Sequence, residues 1–492
     1  MSMHDVAVAL ENRINWKRLC LMLLGPFLFF IVYFSPPWAD AVDPMGVHFP
    51  LSREAKGALA VFLWAGTWWV FEVVPIGVTS LLIGVLQTLF MVRPAKSAFK
   101  DFMDPSVLFI FGSVVIGLVF TKTGLARRLA YKMLVIVGEK TNNILLGSYV
   151  LTAALTHIMA HTAVAATMFP LLMSIHSLYG EDNGRTKFGK ALFMGMAYVA
   201  GAGSVITLLG AARGAVAIGF FNEITQKNVG FFELTYYMFP IGWLMVFLLW
   251  GFFIVLCPPE KKVIPGLREK AKVLASQQGP MTKNEILALI IVASVILLMS
   301  LQSFIPALKD LNKTAIILCS TILFFVTGIL DIKDLEEISW NVILLFAGAM
   351  SIGFCLWETG AAKWLAVNWL TLFQKANWFV FVISMAFFVL VMTNFIMNVA
   401  AIAISLPVAL VIAPYLGVAG EVVFFSSLVT AGMPFLLLVG AAPNAIAYES
   451  KQFTAGEFFG YGIPASILLM VVLGLFVAFI WPVMGMPVTL KG

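Results

Sequence analysis

Charge is what this chain has least of. Only 11% of its 492 residues are charged, where a soluble globular chain carries roughly 25%. Hydrophobic residues make up 61% and the mean hydropathy is +0.98, which excludes a soluble domain. The strict apolar/polar alternation of a lipid-facing β-barrel is also absent: the apolar runs are continuous and about 20 residues long. These two absences predict an all-α polytopic membrane protein. Cysteine is sparse, and Cys20, Cys257, Cys319 and Cys355 lack metal-ligand spacing, so they read as packing residues. There is no P-loop, no G-x-S-x-G elbow and no Cys/His array, so no metal, cofactor or enzymatic centre is expected. The net charge of +6 sits in short loops beside apolar runs and calls for no nucleic-acid partner. The first apolar stretch, 18–36, lacks a small-residue cleavage site and reads as a retained helix.

What is present is one pattern written twice. Ile116-Gly117, Thr123-Gly124 and Leu129-Ala130 recur at a constant offset as Ile352-Gly353, Thr359-Gly360 and Leu365-Ala366. Thr156…Pro170 recurs as Thr393…Pro407, and Gly210-Ala211-Ala212 as Gly440-Ala441-Ala442. Three matches in the same order are not chance, even in so apolar a chain. The expected repeats are 57–257 and 284–492, preceded by an N-terminal helix and loop (1–56) and joined by a polar linker (258–283). About eleven spans are expected, near 18–36, 57–74, 76–93, 106–122, 187–220, 232–257, 284–304, 314–330, 339–357, 422–447 and 460–482. Two interrupted segments, 142–177 and 378–415, read as re-entrant hairpins.

The basic residues orient this layout. Placing the N-terminus in the cytoplasm and the C-terminus outside puts most of the 31 Lys and Arg inside. The stretch after Thr123-Gly124 holds Lys122, Arg127, Arg128, Lys132 and Lys140, whereas its counterpart holds only Lys363 and Lys375. The second copy is therefore inverted relative to the first. Doubled halves of opposite topology are how secondary transporters build two interconvertible faces around a central site.

Two kinds of broken segment would form that site. The hairpin turns, Thr156-His157-Ile158-Met159-Ala160-His161-Thr162 and Thr393-Asn394-Phe395-Ile396-Met397-Asn398-Val399, place polar groups at membrane depth, where they normally face a wet cavity or a solute. Each turn also opens a half-helix whose free N–H groups and dipole suit an anion. The Gly-Ala-Ala segments permit local unwinding, which frees carbonyl oxygens for a cation.

Trp68-Trp69, Glu72, Pro75 and Thr79, then Trp340-Asn341-Val342 with Phe346, then Pro443-Asn444-Ala445-Ile446 resemble motifs of the divalent-anion/sodium symporter family, the INDY-type carriers of dicarboxylates, citrate and sulfate. The resemblance covers nearly the whole chain. It implies a homodimer in lipid, an elevator-type movement of a transport part against a scaffold part, a small anionic substrate and sodium as coupling ion. It also assigns positions. The hairpin tips, Ser-Asn-Thr in the family, are Ala160-His161-Thr162 and Met397-Asn398-Val399 here, and the unwound Thr/Ser-Pro positions are Ala211-Ala212 and Ala441-Ala442. Substrate contacts are thus expected from His161, Thr162, Arg213, Asn398, Val399, Ala211, Ala441 and Ala442. Sodium, where bound, would meet Thr156, Ala160, Gly210, Thr393, Met397, Asn398 and Gly440.

The departures remove at least three side-chain oxygens. Arg213 and Gly214 stand where Pro443 and Asn444 stand in the second copy. A guanidinium in that position either supplies the charge that bound cations would, pairs with an acid such as Glu72, or reaches the membrane edge. His161 either donates to the anion or packs the hairpin. His157 and His161 lie one turn apart, but Ile158 occupies the place of the Glu a zinc protease requires. The expected function is secondary transport of a dicarboxylate, 2-oxo acid, sulfonate or sulfate, coupled to sodium, to protons or to exchange. The alternative is a non-transporting membrane sensor on the same fold.

Overall fold

The computed structural model describes residues 16–42, 46–71, 73–179, 184–308, 310–373, 377–395 and 397–490. The fold is all-α and polytopic. Among the described residues, eight helices are long and apolar enough to cross a membrane, and shorter apolar helices include Arg18–Phe34, Ile76–Leu89, Lys313–Val326 and Gly420–Ala431. One two-stranded ladder, Ala41–Val42 with His48–Phe49, was not foreseen.

The chain forms two compact units. The first comprises residues up to Met103 together with Trp340–Asn368. Helices Ile76–Leu89 and Trp340–Glu358 approach closely because Gly348 lies flat on Ser80, and the Asn341 side chain caps Gly77 N–H at 2.8 Å. The second unit holds Asp104–Ser339 and Trp369 onward, and it contains both hairpins and both Gly-Ala-Ala segments.

Matching residues of the two copies adopt matching backbones. Gly124 (φ +82°) separates helix Pro105–Thr123 from helix Leu125–Val137, and Gly360 (φ +81°) separates Trp340–Glu358 from Ala361–Phe373. A left-handed residue is cheap only for glycine, so both Thr-Gly pairs are sharp helix stops. The hairpin arms Thr141–Thr156 and His161–Tyr179 correspond to Trp378–Phe395 and Asn398–Ile412, and each second arm carries its proline, Pro170 or Pro407, at the equivalent place. The long span expected over 187–220 is helix Lys187–Gly203, an irregular stretch, then helix Ala212–Thr225. The one over 422–447 is likewise Gly420–Ala431, an irregular stretch, then Ala442–Tyr448.

The base of the first hairpin is fixed by one carboxylate. Glu260 accepts from Tyr179 Oη (2.9 Å) and from the N–H groups of Lys187 (2.5 Å) and Phe188 (3.3 Å). Burial raises the affinity of Glu260 for its proton, but these donors outweigh it and its pKa lies below the ordinary carboxylate value. The stability it contributes is therefore present above that ordinary value and lost as pH falls through the lowered one. Glu260→Gln is expected to lower the melting temperature at pH 7, with a gap to wild type that narrows on acidification. A gap of constant size in detergent melts at pH 7 and pH 4 would contradict this.

Candidate functional site

The hairpin breaks and the unwound helices meet within the second unit. In the first copy the backbone leaves the helix after Gly203 and re-enters at Ala212, so the segment 204–211 has no helical ladder of its own. Tertiary partners replace it. His161 N–H donates to Gly210 O (3.0 Å), Ser113 Oγ to Leu209 O (3.0 Å) and Thr207 Oγ1 to His157 O (2.8 Å). One of the free N–H groups expected at the hairpin tip is thus occupied by the chain's own carbonyl. In the second copy Asn394 Oδ1 accepts from Leu436 N–H (2.8 Å) and Leu437 N–H (3.2 Å), and Asn444 Nδ2 donates to Pro434 O (2.8 Å) and Leu437 O (3.1 Å).

The glycines explain why the breaks can touch. A Cβ on Gly210 would fall on Thr156 O and on the Ser204 backbone, and a Cβ on Gly440 would lie 3.0 Å from Thr393 O. Each Gly-Ala-Ala segment therefore packs its glycine on the carbonyl of its own hairpin threonine. The next residues agree as well: Ala211 (φ −162°, ψ 142°) and Ala441 (φ −154°, ψ 147°) both precede the resumed helix.

Arg213 sits between the two unwound segments and is 1% exposed. Its Nη2 donates to Ser204 Oγ at 2.8 Å, while Nη1 is buried and has no partner among the described residues. The guanidinium lies on Gly432, where a Cβ would stand 2.7 Å from Nη2. Arg213 thus joins the break of one copy to that of the other. Among the described residues no carboxylate forms an ion pair with it. Glu72, the acid expected as an alternative partner, lies outside the described residues.

The other expected residues are distributed unevenly. Thr156, Thr393, Gly210, Gly440, Ala211, Ala441, Asn398 and Val399 are buried; His161, Ala160, Met397 and Ala442 are half-buried; Thr162 is exposed. The two hydroxyls donate inward, Thr156 Oγ1 to Ala153 O (2.7 Å) and Thr393 Oγ1 to Ala431 O (3.0 Å). His161 lies within electrostatic reach of Arg213, and its Nδ1 is buried without a partner among the described residues. His157 instead meets Trp243 edge to face, with centroids 5.6 Å apart. No group of three or more metal-binding side chains occurs among the described residues. Asn394 stands in the hairpin turn singled out from the sequence but has no site role assigned to it there; Ser113, Ser204, Thr207 and Gly432 carry no sequence signal.

Solved membrane transporters share this fold. The fold is similar to that of the YdaH transporter of Alcanivorax borkumensis (TM-score 0.56, 12% identity, 96% of this chain and 98% of that one). It is also similar to MtrF of Neisseria gonorrhoeae, described within a class of antimetabolite efflux pumps (TM-score 0.53, 13% identity, 94% and 95%). The chain belongs to the sodium:sulfate symporter transmembrane family, whose model matches residues 43–487. Relatives in sequence include the sodium-dependent dicarboxylate transporter SdcS of Staphylococcus saprophyticus, 25% identical over 506 residues and covering 97% of this chain and 95% of its own. SdcS of Staphylococcus aureus is 25% identical over 490 residues, covering 94% and 91%.

Proposed function

We propose that this chain is a secondary active transporter of small anions of the dicarboxylate, 2-oxo acid, sulfonate or sulfate class, working by alternating access, in which Arg213 takes the place of a bound cation in the first half. The observation that carries the reading is a fully buried guanidinium between two unwound helices, held by one hydroxyl and, among the described residues, joined to no acid. Such a charge is costly unless an anion completes it, and its planar fork suits carboxylate or sulfonate oxygens. His161, Thr162, Asn398 and Val399 at the tips, with Ala211, Ala441 and Ala442 beneath, frame the anion. A fixed charge in the first half leaves only the second half, with Thr393, Met397, Asn398 and Gly440, to hold sodium. Exchange of internal for external anion then proceeds without a sodium gradient. From the family resemblance the proposal includes a homodimer, an elevator-like shift, inverted repeats at 57–257 and 284–492, and a cytoplasmic N-terminus with the C-terminus outside.

Purified protein in liposomes loaded with a dicarboxylate is expected to take up external labelled dicarboxylate equally well in sodium and in choline. Arg213→Gln should lower that exchange roughly tenfold or more, the loss of a charge-assisted hydrogen bond worth about 1.5–3 kcal/mol. Abolition of wild-type exchange in choline would overturn the role given to Arg213. Absence of exchange with every anion of the four classes would overturn transport itself.

A further inference from the structure

The polar segment between the two repeats folds into an element that connects more than sequence. Gly266 (φ +77°) and Gly279 (φ +62°) bracket an eleven-residue helix, Leu267–Gln277. Both glycines are left-handed, a conformation other residues adopt only at a cost. Within the helix only Leu267 and Ala271 are buried, so little apolar area holds it against the rest of the chain.

That helix forms one wall of a cavity of about 630 Å³, to which it contributes Leu267, Lys270, Ala271 and Leu274. The lining also takes in the second arm of the first hairpin, from Ala163 down to Leu178, and parts of helices Pro105–Thr123 and Leu125–Val137. Ala163 follows Thr162 directly, so the cavity extends from the first turn of the hairpin to the linker helix. Lys270 and Arg127 belong to this lining and both are exposed.

The two ends of the helix are held differently. Before it, backbone bonds join Ile264 N–H to Glu139 O (2.9 Å) and Thr141 N–H to Lys262 O (3.0 Å). After it, one side chain makes the attachment. Arg128 donates to Gly279 O (2.8 Å), Pro280 O (3.3 Å) and Gln278 O (3.4 Å), and grips Glu285 through Nε (2.8 Å) and Nη2 (3.0 Å). Glu285 is itself fixed, since it closes a capping box with Thr282.

We propose that helix Leu267–Gln277 is a hinged lid over the path to the hairpin tip, and that Arg128 is its latch. The transport reading enters only in saying what passes beneath the lid. Freeing the Arg128 end lets the helix swing on its anchored start, with the two glycines absorbing the backbone change.

The test measures access rather than transport. In full-length protein in liposomes, with exposed Cys20 and Cys319 replaced by serine, the thiol of Ala163→Cys is labelled with a membrane-impermeant maleimide. Arg128→Gln is expected to raise its labelling rate roughly tenfold. Glu285→Gln should do the same, the double variant no more than either, and Arg128→Lys less. Buried Cys257 reports general loosening and should stay unlabelled. An unchanged rate at A163C, or labelling of Cys257 that rises in parallel, would overturn the lid. Because labelling needs no substrate, a lid that responds while exchange is absent would count against the transport reading alone.

Discussion

Gly210→Ala is expected to lower anion exchange roughly a hundredfold, while Gly66→Ala leaves it intact. The difference lies in what a methyl group would meet. At Gly210 every obstacle is backbone: Thr156 O at the end of the hairpin arm, and Ser204 Cα and O at 2.8 Å. None can rotate away, so the Gly210 strand must lift off the hairpin, which breaks the His161–Gly210 bond and moves the Arg213 anchor at Ser204. Overpacking of this kind costs about 1–3 kcal/mol where neighbours can yield; here they cannot, and a loss of roughly a hundredfold in exchange is expected. At Gly66, a mid-helix position, nothing lies within 4 Å, and alanine there improves helix propensity. Gly440→Ala should fall between them, because its obstacles, the ring carbon Pro434 Cβ at 2.7 Å and Thr393 O at 3.0 Å, stand farther off than Thr156 O does from a Cβ on Gly210. The three variants are to be compared by exchange in liposomes and by melting in detergent. Wild-type exchange by Gly210→Ala would show that the contact between break and hairpin is dispensable.

That ranking also shows where sequence is legible and where it is not. The hairpins and unwound helices can be found by eye because polar and small residues recur at fixed offsets within otherwise apolar runs. Their limits cannot. The Gly-Ala-Ala motif points to residues 210–212, yet the helix already ends after Gly203. Val205, Ile206, Leu208 and Leu209 have the hydropathy of any membrane helix, and what unwinds them is the set of partners at Ser113, His157 and His161, up to 96 residues away in the chain. The helices Leu125–Val137 and Leu267–Gln277 are hidden for a different reason. Their basic residues mark them as loop under a charge rule, although their apolar positions keep helical spacing.

The same distinction governs Arg213. Its presence in a membrane-depth segment is plain in the sequence and already suggests a site. Its surroundings are not, because Ser204 and Gly432 reach it only once both copies have folded. A pairing with an acid and a contact to a hydroxyl look alike along the chain, and the geometry within the second unit shows the hydroxyl of Ser204 as the partner of Nη2.

A second buried arginine, in the other unit, should behave in the opposite way. Arg93 is paired with two carboxylates: Nη1 donates to Asp101 (2.7 Å) and Gln87 Oε1 (3.2 Å), and Nε to Glu358 (2.8 Å). Gln87 in turn donates to Ser351 Oγ (2.9 Å), so the network ties helix Ile76–Leu89 to helix Trp340–Glu358. Arg93 and Asp101 are almost wholly buried, while Glu358 is half exposed. Removing one member of such a pair leaves an uncompensated buried charge, a loss of about 3–5 kcal/mol. Arg93→Leu is therefore expected to destabilise this unit severely, read as a large fall in melting temperature and in yield of folded protein. Replacing Asp101 as well should restore part of the loss, since two apolar side chains of similar volume can be close to neutral where one orphaned carboxylate is not. Restoration is the decisive outcome. If the double variant melts no higher than Arg93→Leu, the network is held by the shape of the arginine rather than by its charge.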